Sequence, residues 1–319
     1  MMSDAITALP DTPLANAGAP FLRGAWIVAM EKLTQDEGYF HSLGARHFAF
    51  FADLGPTLLV SFERLEDILA RPGQMPLAHP HATARGWSHV CVIADGATWF
   101  RDPAVYGYFD RLVDDTFLED FDQVLFFGAG MGGYAACAYS VSAPGAQVLA
   151  LNPRATLDPL QTGWDRRDIA ARKLDFTSRY GYAPDMLEGA AHVTVIHDPS
   201  IMADAAQASL FRAPYITRLN ARHLGDNLGV SLTQMGLLPA LLDKAMLHEL
   251  TPAAFAKLWR LRRDNAPYLR GLLHKAEVAG RTGHEVMICR SVTRRMRAPR
   301  FERRLARLLP PVVHASISL

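Results

Sequence analysis

Cysteine is scarce in this sequence, and no hydrophobic run is long enough to cross a membrane. The three cysteines, Cys91, Cys137 and Cys289, are an odd number, lie far apart and show no metal-type spacing. They predict neither a disulfide framework nor a cysteine metal site, and they favour a reduced, cytoplasmic protein. A membrane-spanning helix needs about 20 consecutive apolar residues, so we expect a protein that is not transmembrane. Residues 1–20 lack a basic start before an apolar core and are interpreted as a flexible leader.

Motifs for phosphate and metal chemistry are also missing. The P-loop pattern G-x-x-x-x-G-K-S/T does not occur, which argues against P-loop nucleotide chemistry. His79 and His81 form a pair two residues apart, but the sequence offers them no further ligands nearby. We therefore expect neither a cofactor nor a bound metal.

The net charge of +1 conceals two oppositely charged regions. Residues 257–307 hold 15 Lys and Arg against 4 Asp and Glu, a balance of +11. The remainder holds 33 − 15 = 18 against 32 − 4 = 28, a balance of −10. This asymmetry predicts an acidic main domain over residues 21–250 and a basic, helical C-terminal region over residues 251–319.

Within the main domain, short apolar segments typical of strands alternate with segments of helical periodicity. Apolar runs without polar alternation indicate strands that are buried on both faces. The pattern predicts an α/β fold with a mostly parallel sheet and helices on both faces. Residues 154–191 contain no clear strand and are interpreted as a helical insertion or cap. The predicted strands cover residues 47–53, 56–64, 88–95, 122–130, 146–153, 192–198 and 213–222.

The most informative stretch is FFGAGMGGYAA, residues 126–136. Its glycines have the spacing of the hydrolase nucleophile elbow, G-x-S-x-G, in which a strand turns sharply into a helix. A strand (VLFF), a turn (GAGMGG) and a helix (YAACAYS) follow one another in the required order. The nucleophile position is Gly130, which has no side chain.

These segments resemble a family of bacterial alpha/beta-hydrolase-like proteins, often near envelope-polysaccharide functions, whose elbow reads G-x-S-M-G-G-Y-A-A. The resemblance extends over about residues 45–245 and is most specific over 126–159, where GAGMGGYAA is followed by VLALNPRATLDP. Upstream it includes LLVSFERL and VCVIADGATWFRD. It implies an alpha/beta-hydrolase-like fold with a C-terminal helical basic extension. The departure from the family is Gly130 in place of serine.

The other members of a hydrolase triad are sought in the chain order nucleophile, acid, histidine. Asp198, at the end of a predicted strand, or Asp204, shortly after it, is the candidate acid, and His223 is the candidate histidine. An acid would orient the imidazole, which would take the proton of the nucleophile. With glycine at position 130 there is no hydroxyl to deprotonate and no acyl-enzyme to form.

The oxyanion pocket could survive the loss of the serine. Met131 and Gly132 begin the elbow helix, whose N-terminal N–H groups favour a carbonyl or anionic oxygen. Gly96 and Ala97, which follow the strand 88–95, are the candidates for the second donor. We therefore expect a residual ligand-binding site at these four residues.

The C-terminal region carries eight arginines within residues 290–308 and no lysine there. Such a segment suits an anionic lipid surface, an anionic polymer, a nucleic acid, or the acidic domain of the same chain. No zinc-finger, RRM or KH motif is present, so sequence-specific nucleic-acid recognition is not expected. The arginines are Arg290, Arg294, Arg295, Arg297, Arg300, Arg303, Arg304 and Arg307.

Four functions remain open from the sequence. The first is a hydrolase-fold protein that has lost serine hydrolase activity and binds a small ligand or a protein partner. The second is an active esterase or acyltransferase that uses another nucleophile, such as Ser61, or water activated by His223. The third is a dinucleotide-binding protein, since Gly128, Gly130 and Gly133 match G-x-G-x-x-G. The fourth is a scaffold held to an anionic assembly by its basic region.

Overall fold

The computed structural model describes residues 19–35 and 37–309, so most of the expected leader lies outside the described residues. Eight strands form one sheet in the order β1-β2-β4-β3-β5-β6-β7-β8. The predicted strands are present, and an additional strand, β1, precedes them. The strands are β1 Gly38–Leu43, β2 His47–Ala52, β3 Thr57–Arg64, β4 Ser88–Ala94, β5 Gln123–Ala129, β6 Gln147–Leu151, β7 His192–His197 and β8 Ile216–Asn220.

The sheet is mostly parallel, as predicted. β3 pairs in parallel with β4 on one side and with β5 on the other, and β6, β7 and β8 continue in parallel. Only β1 and β2 run antiparallel to their neighbours in the described sheet. Because most strands are parallel, their carboxyl ends meet along one edge, where ligands bind in open α/β sheets.

Helices cover both faces of the sheet because both faces carry apolar side chains. One core packs β-strand residues against α4 and α5, and a second packs the opposite face against α8, α9 and α10. The helices are α1 Ala19–Leu33, α2 Leu65–Leu69, α3 His79–Arg85, α4 Pro103–Asp114, α5 Met131–Tyr139, α6 Pro159–Thr162, α7 Met202–Ala208, α8 Leu228–Gln234, α9 Leu238–Met246, α10 Pro252–Leu258, α11 Ala266–Val278, α12 Thr282–Thr293 and α13 Pro299–Leu308.

Two regions of the described residues lie outside the sheet. Residues 154–191 contain no strand and hold α6 and two 3-10 helices, Ile169–Lys173 and Ala183–Leu187. After the sheet, α11, α12 and α13 pack around a small apolar core of their own. None of the helices in residues 19–35 and 37–309 has the length and apolar character that a membrane span requires.

Candidate functional site

The elbow is a sharp bend between β5 and α5. Gly130 has φ 57° and ψ −115°, a conformation that costs a residue with a side chain about 1–3 kcal/mol. The Gly130 N–H donates to the Leu151 carbonyl at 2.9 Å, and its carbonyl accepts from the Tyr134 N–H at 3.0 Å. A central parallel strand that turns in this way into a helix is the alpha/beta-hydrolase arrangement, so the predicted fold class is confirmed.

The glycines of the elbow differ in how much space surrounds them. A Cβ on Gly128 would overlap the Gly132 carbonyl oxygen, and a Cβ on Gly132 would overlap the Phe62 carbonyl oxygen. By contrast, no heavy atom beyond Gly130 itself and its chain neighbours lies within 4 Å of the Cβ position of Gly130. Packing therefore requires glycine at positions 128 and 132, whereas position 130 faces open space and simply carries no side chain.

A cavity of about 470 Å³ lies over the elbow, at the carboxyl ends of β3, β5 and β6. Its lining contains no Ser, Thr, Cys, His, Lys or Tyr among the described residues. The apolar part of its wall includes Leu77, Met131 and Leu228. Its polar side chains are four carboxylates, three guanidinium groups and two carboxamides, from Glu63, Asp67, Asp168, Asp226, Arg64, Arg71, Arg154, Asn152 and Asn227.

Asp198, the first candidate acid, is completely buried and binds backbone groups rather than an imidazole. Its carboxylate accepts the N–H groups of Ser200, His223 and Gly225, each at 2.9 Å, and the Ser200 hydroxyl at 2.6 Å. Burial acts to raise the pKa of Asp198, but these hydrogen bonds outweigh it and lower the pKa overall. The described contacts make Asp198 an anchor for the loop that follows β8.

His223 is on that loop, with φ 67°, but its side chain does not line the elbow cavity. It lines two other pockets, of about 280 and 270 Å³, against α11 and α12. Burial and the nearby charge of Lys275 lower the pKa of His223. The segment that reaches the cavity is 226–230, which comprises the end of the loop and the start of α8, and here the Asp226 carbonyl accepts from Asn152 Nδ2 at 2.7 Å. His223 therefore does not share the lining of the elbow cavity with Gly130.

Asp204, the second candidate acid, belongs to a buried ionic cluster. Its Oδ1 pairs with Arg154 Nη1 at 3.4 Å and with Arg167 Nη1 at 2.5 Å. Burial acts to raise the pKa of Asp165 in the same cluster, but hydrogen bonds from Arg167 and Gln207 lower it to about 2. Asp204 of α7 therefore helps to hold the segment 154–191 against that helix.

Three of the four candidate oxyanion residues line the cavity: Met131, Gly132 and Ala97. The N–H groups of Met131 and Gly132 are in the first turn of α5, where the helix supplies no acceptor. Gly96 is outside the cavity lining, beside the guanidinium of Arg46. In the same loop, the Trp99 N–H donates to Met131 Sδ at 3.1 Å.

The two histidines considered for a metal have other partners. His81 Nε2 lies 2.8 Å from Asp243 Oδ1, whereas the His79 ring stacks on that of His89. Within residues 19–35 and 37–309, no group of three or more His, Cys, Asp or Glu side chains is arranged to hold a metal ion.

Ser61, the alternative nucleophile, is completely buried between strands. Its hydroxyl is 2.8 Å from His89 Nε2, and His89 Nδ1 is 3.4 Å from His79 Nδ1. Ser61 and His89 are both absent from the lining of the elbow cavity. This hydroxyl–imidazole pair therefore links β3 to β4 in the core.

Sequence reasoning missed a second hydroxyl–imidazole pair, next to the candidate oxyanion loop. Thr98 Oγ1 is 2.7 Å from His47 Nε2, and His47 Nδ1 is 3.6 Å from Asp102 Oδ2. Thr98 is 5% exposed and does not line the cavity. No local sequence motif indicates this series of side-chain contacts, because His47 belongs to β2 whereas Thr98 and Asp102 follow β4. It fixes the loop in which Trp99 and Phe100 both have φ 55°.

The His47 side chain predicts a pH dependence of stability. Burial lowers its pKa from 6.5 to about 4, so the imidazole stays neutral in the fold while the unfolded chain protonates. The unfolded state thus binds more protons between about pH 6.5 and 4, and the unfolding free energy falls as the pH decreases through that window. The protonation of this histidine in the unfolded chain should lower the free energy of unfolding at pH 5 by about 2 kcal/mol relative to pH 7.

Urea unfolding at pH 7 and pH 5 measures this contribution. In His47→Gln, which keeps a partner for the Thr98 hydroxyl, the difference between the two pH values should shrink by about 2 kcal/mol. The exposed His274 supplies the control, and His274→Gln should keep the wild-type difference. An unchanged difference in His47→Gln would show that His47 is already protonated in the fold.

No protein-family model and no curated protein matches this chain. Solved structures similar to it include the capsule O-acetyltransferase of Neisseria meningitidis serogroup A, with 11% identity and a TM-score of 0.41, over 64% of this chain and 95% of that one. An esterase of Pyrobaculum calidifontis has 13% identity and a TM-score of 0.42, over 76% and 92%. A glycosylation-associated protein complex of Streptococcus agalactiae has 14% identity and a TM-score of 0.42, over 68% and 47%. Likenesses this distant carry no conclusion about activity.

Proposed function

We propose that this protein binds a small polar ligand in the cavity over the elbow and does not carry out serine hydrolysis. The observation that supports this most is the combination of Gly130 with the lining of the cavity. The bend is shaped as in a hydrolase, yet no hydroxyl, thiol, amine or imidazole among the described residues faces it. Covalent acyl transfer needs a nucleophile and a base within hydrogen-bond reach of each other.

Several groups in the cavity are available to a ligand. Asn152 is 4% exposed, and its Oδ1 has no hydrogen-bond partner in the described part of the chain. Its Nδ2 donates to a backbone carbonyl, so the free oxygen is the acceptor end of the amide. Arg154 is 8% exposed, and its Nε makes no hydrogen bond there, although it pairs with the carboxylates of Asp168 at 3.5 Å and Asp165 at 3.7 Å. A ligand would donate to Asn152 and accept from Arg154, with a carbonyl oxygen at the Met131 and Gly132 N–H groups.

The charges around the cavity favour a ligand without a strong net charge. Arg64 pairs with Asp67 at 2.9 Å, and Arg71 pairs with Glu63. Burial raises the pKa of Glu63, although its partner Arg71 opposes the shift. Since most cavity charges already have partners, the binding energy would come from hydrogen bonds and from contact with the apolar wall.

The alternatives from the sequence have less support. An active hydrolase would need His223 or Ser61 at the elbow, and neither lines the cavity. For dinucleotide binding, the strand after the glycine turn should lead to an acidic residue for the ribose. Here β6 leads instead into Asn152 and Arg154.

The variant Gly130→Ser tests the proposal. We expect the wild type and this variant to hydrolyse p-nitrophenyl acetate and butyrate no faster than buffer, and neither to react with a fluorophosphonate probe. The serine side chain has room, but no imidazole lines the cavity to take its proton. Hydrolysis rates and in-gel labelling give the result.

Gly130→Ala is the matched control, because it introduces the same backbone strain without a hydroxyl. Labelling of the introduced serine, or ester hydrolysis absent from Gly130→Ala, would contradict the proposal by showing that a base is within reach. In parallel, a thermal-shift screen of small amides, carboxylates and polyols tests binding. A compound that stabilises the wild type but not Arg154→Gln would support the cavity as the site.

A further inference from the structure

The few carboxylates of the basic C-terminal region pair with groups of the same region. Arg304 pairs with Glu277 at 3.2 Å and also with Glu285, while Arg295 is 4.0 Å from Asp264. Glu302 accepts the Ala298 N–H. All four acidic residues of the segment 257–307 thus have partners within that segment.

The acidic main domain does not neutralise the remaining positive charge. Among the ion pairs within 4.0 Å in the described residues, none joins a Lys or Arg of 257–307 to a carboxylate of the main domain. One of the possibilities left open by the sequence was that the basic region docks on the acidic domain through its charges. The ion pairs of the described residues do not show such docking. The segment therefore keeps its net charge of +11.

Six exposed arginines form what we call the arginine face: Arg290, Arg294, Arg297, Arg300, Arg303 and Arg307. Arg290, Arg294 and Arg297 follow one another at intervals of four and three residues along α12 and the residues after it. Arg300, Arg303 and Arg307 follow one another at intervals of three and four residues along α13. Side chains at these intervals share one side of a helix. The three arginines of α13 therefore form a charged row with a spacing of about 5–6 Å, and Arg290 and Arg294 lie on one side of the end of α12. Arg297 lies in the non-helical segment between the two helices.

The opposite sides of the same helices are buried. Cys289 and Val292 of α12 and Phe301 of α13 pack against Leu269 and Leu273 of α11. An amphipathic helix binds a lipid surface by inserting its apolar side, which is not available here. Among the described residues of α11, α12 and α13, the large apolar side chains that are exposed are those of Val278 and Met287.

The kind of anion follows from the side chains. Arginine presents a planar fork of donors that binds phosphate oxygens in pairs. The aromatic residues of the region, Phe255, Trp259, Tyr268 and Phe301, are buried or half-buried, so none is freely exposed for stacking on bases. We propose that the arginine face binds the phosphate backbone of duplex nucleic acid, without reading its sequence.

The test measures binding of the full-length protein to a fluorescent 20-base-pair DNA duplex across a salt series. Contacts from six arginines predict a slope of log K against log salt of about −5. The variant Arg300→Gln, Arg303→Gln and Arg307→Gln should reduce that slope by about 3 and the affinity about 100-fold at 0.1 M salt. A duplex of scrambled sequence should bind as well as the first.

A second triple variant removes the same charge from exposed arginines of the main domain: Arg166→Gln, Arg212→Gln and Arg218→Gln. It should keep the wild-type slope and affinity. Equal losses in both triple variants would overturn the proposal, since net charge alone would then explain binding. Binding to phosphatidylserine vesicles but not to the duplex would also overturn it, in favour of a lipid surface, as would a duplex that does not bind at 50 mM salt.

Discussion

Replacing Gly132 by alanine should abolish folding or lower the free energy of unfolding by about 3 kcal/mol or more. The added Cβ would overlap the carbonyl oxygen of Phe62 on β3, in the middle of the sheet. Neither backbone segment can move without breaking the pairing of β3 with β5. The yield of soluble protein and urea unfolding of any soluble fraction measure the effect.

Gly130→Ala is the comparison for this variant. It adds the same methyl group two residues earlier, into open space, so only the backbone conformation is penalised, by about 1–3 kcal/mol. A large difference between the two variants would show that Gly132 is required by packing, while position 130 could accept a side chain. If both variants lowered the free energy of unfolding by the same amount, packing would not distinguish position 132 from position 130.

Replacing Asp198 by alanine should lower the free energy of unfolding by about 3–5 kcal/mol. The change leaves three backbone N–H groups, those of Ser200, His223 and Gly225, without their buried acceptor, and each such group costs about 1–3 kcal/mol. Urea unfolding measures the loss. Amide hydrogen exchange should also become faster at positions 223 and 225, because the loop after β8 loses its anchor.

Ser200→Ala is the milder comparison, since it removes only the 2.6 Å hydroxyl contact to Asp198 and should cost about 1 kcal/mol. Asp198→Asn should lie between the two variants, because one amide oxygen can still accept some of the N–H groups. If Asp198→Ala were as stable as the wild type, with unchanged exchange at positions 223 and 225, the anchoring role would be wrong.

Most of the sheet could be predicted because buried parallel strands are continuous apolar runs. β1 was missed because it is an antiparallel strand at the edge of the sheet, with four of its six residues exposed or partly exposed. Gly236, with φ 70°, separates α8 from α9. The order of the strands was not predictable either: β4 lies between β2 and β3, which follow each other in the chain.

The sequence by itself determined the elbow and the charge of the C-terminal region. A turn from a strand into a helix depends on residues a few positions apart, whose glycines set the allowed backbone angles. Tertiary structure alone decided which side chains face that elbow. His223 follows the expected strand, but its backbone N–H is bound by Asp198 and its ring lies against α11 and α12. The residues that reach the cavity are instead 226–230. Where a loop places its side chains depends on contacts with residues distant in the chain, and no local pattern encodes those contacts.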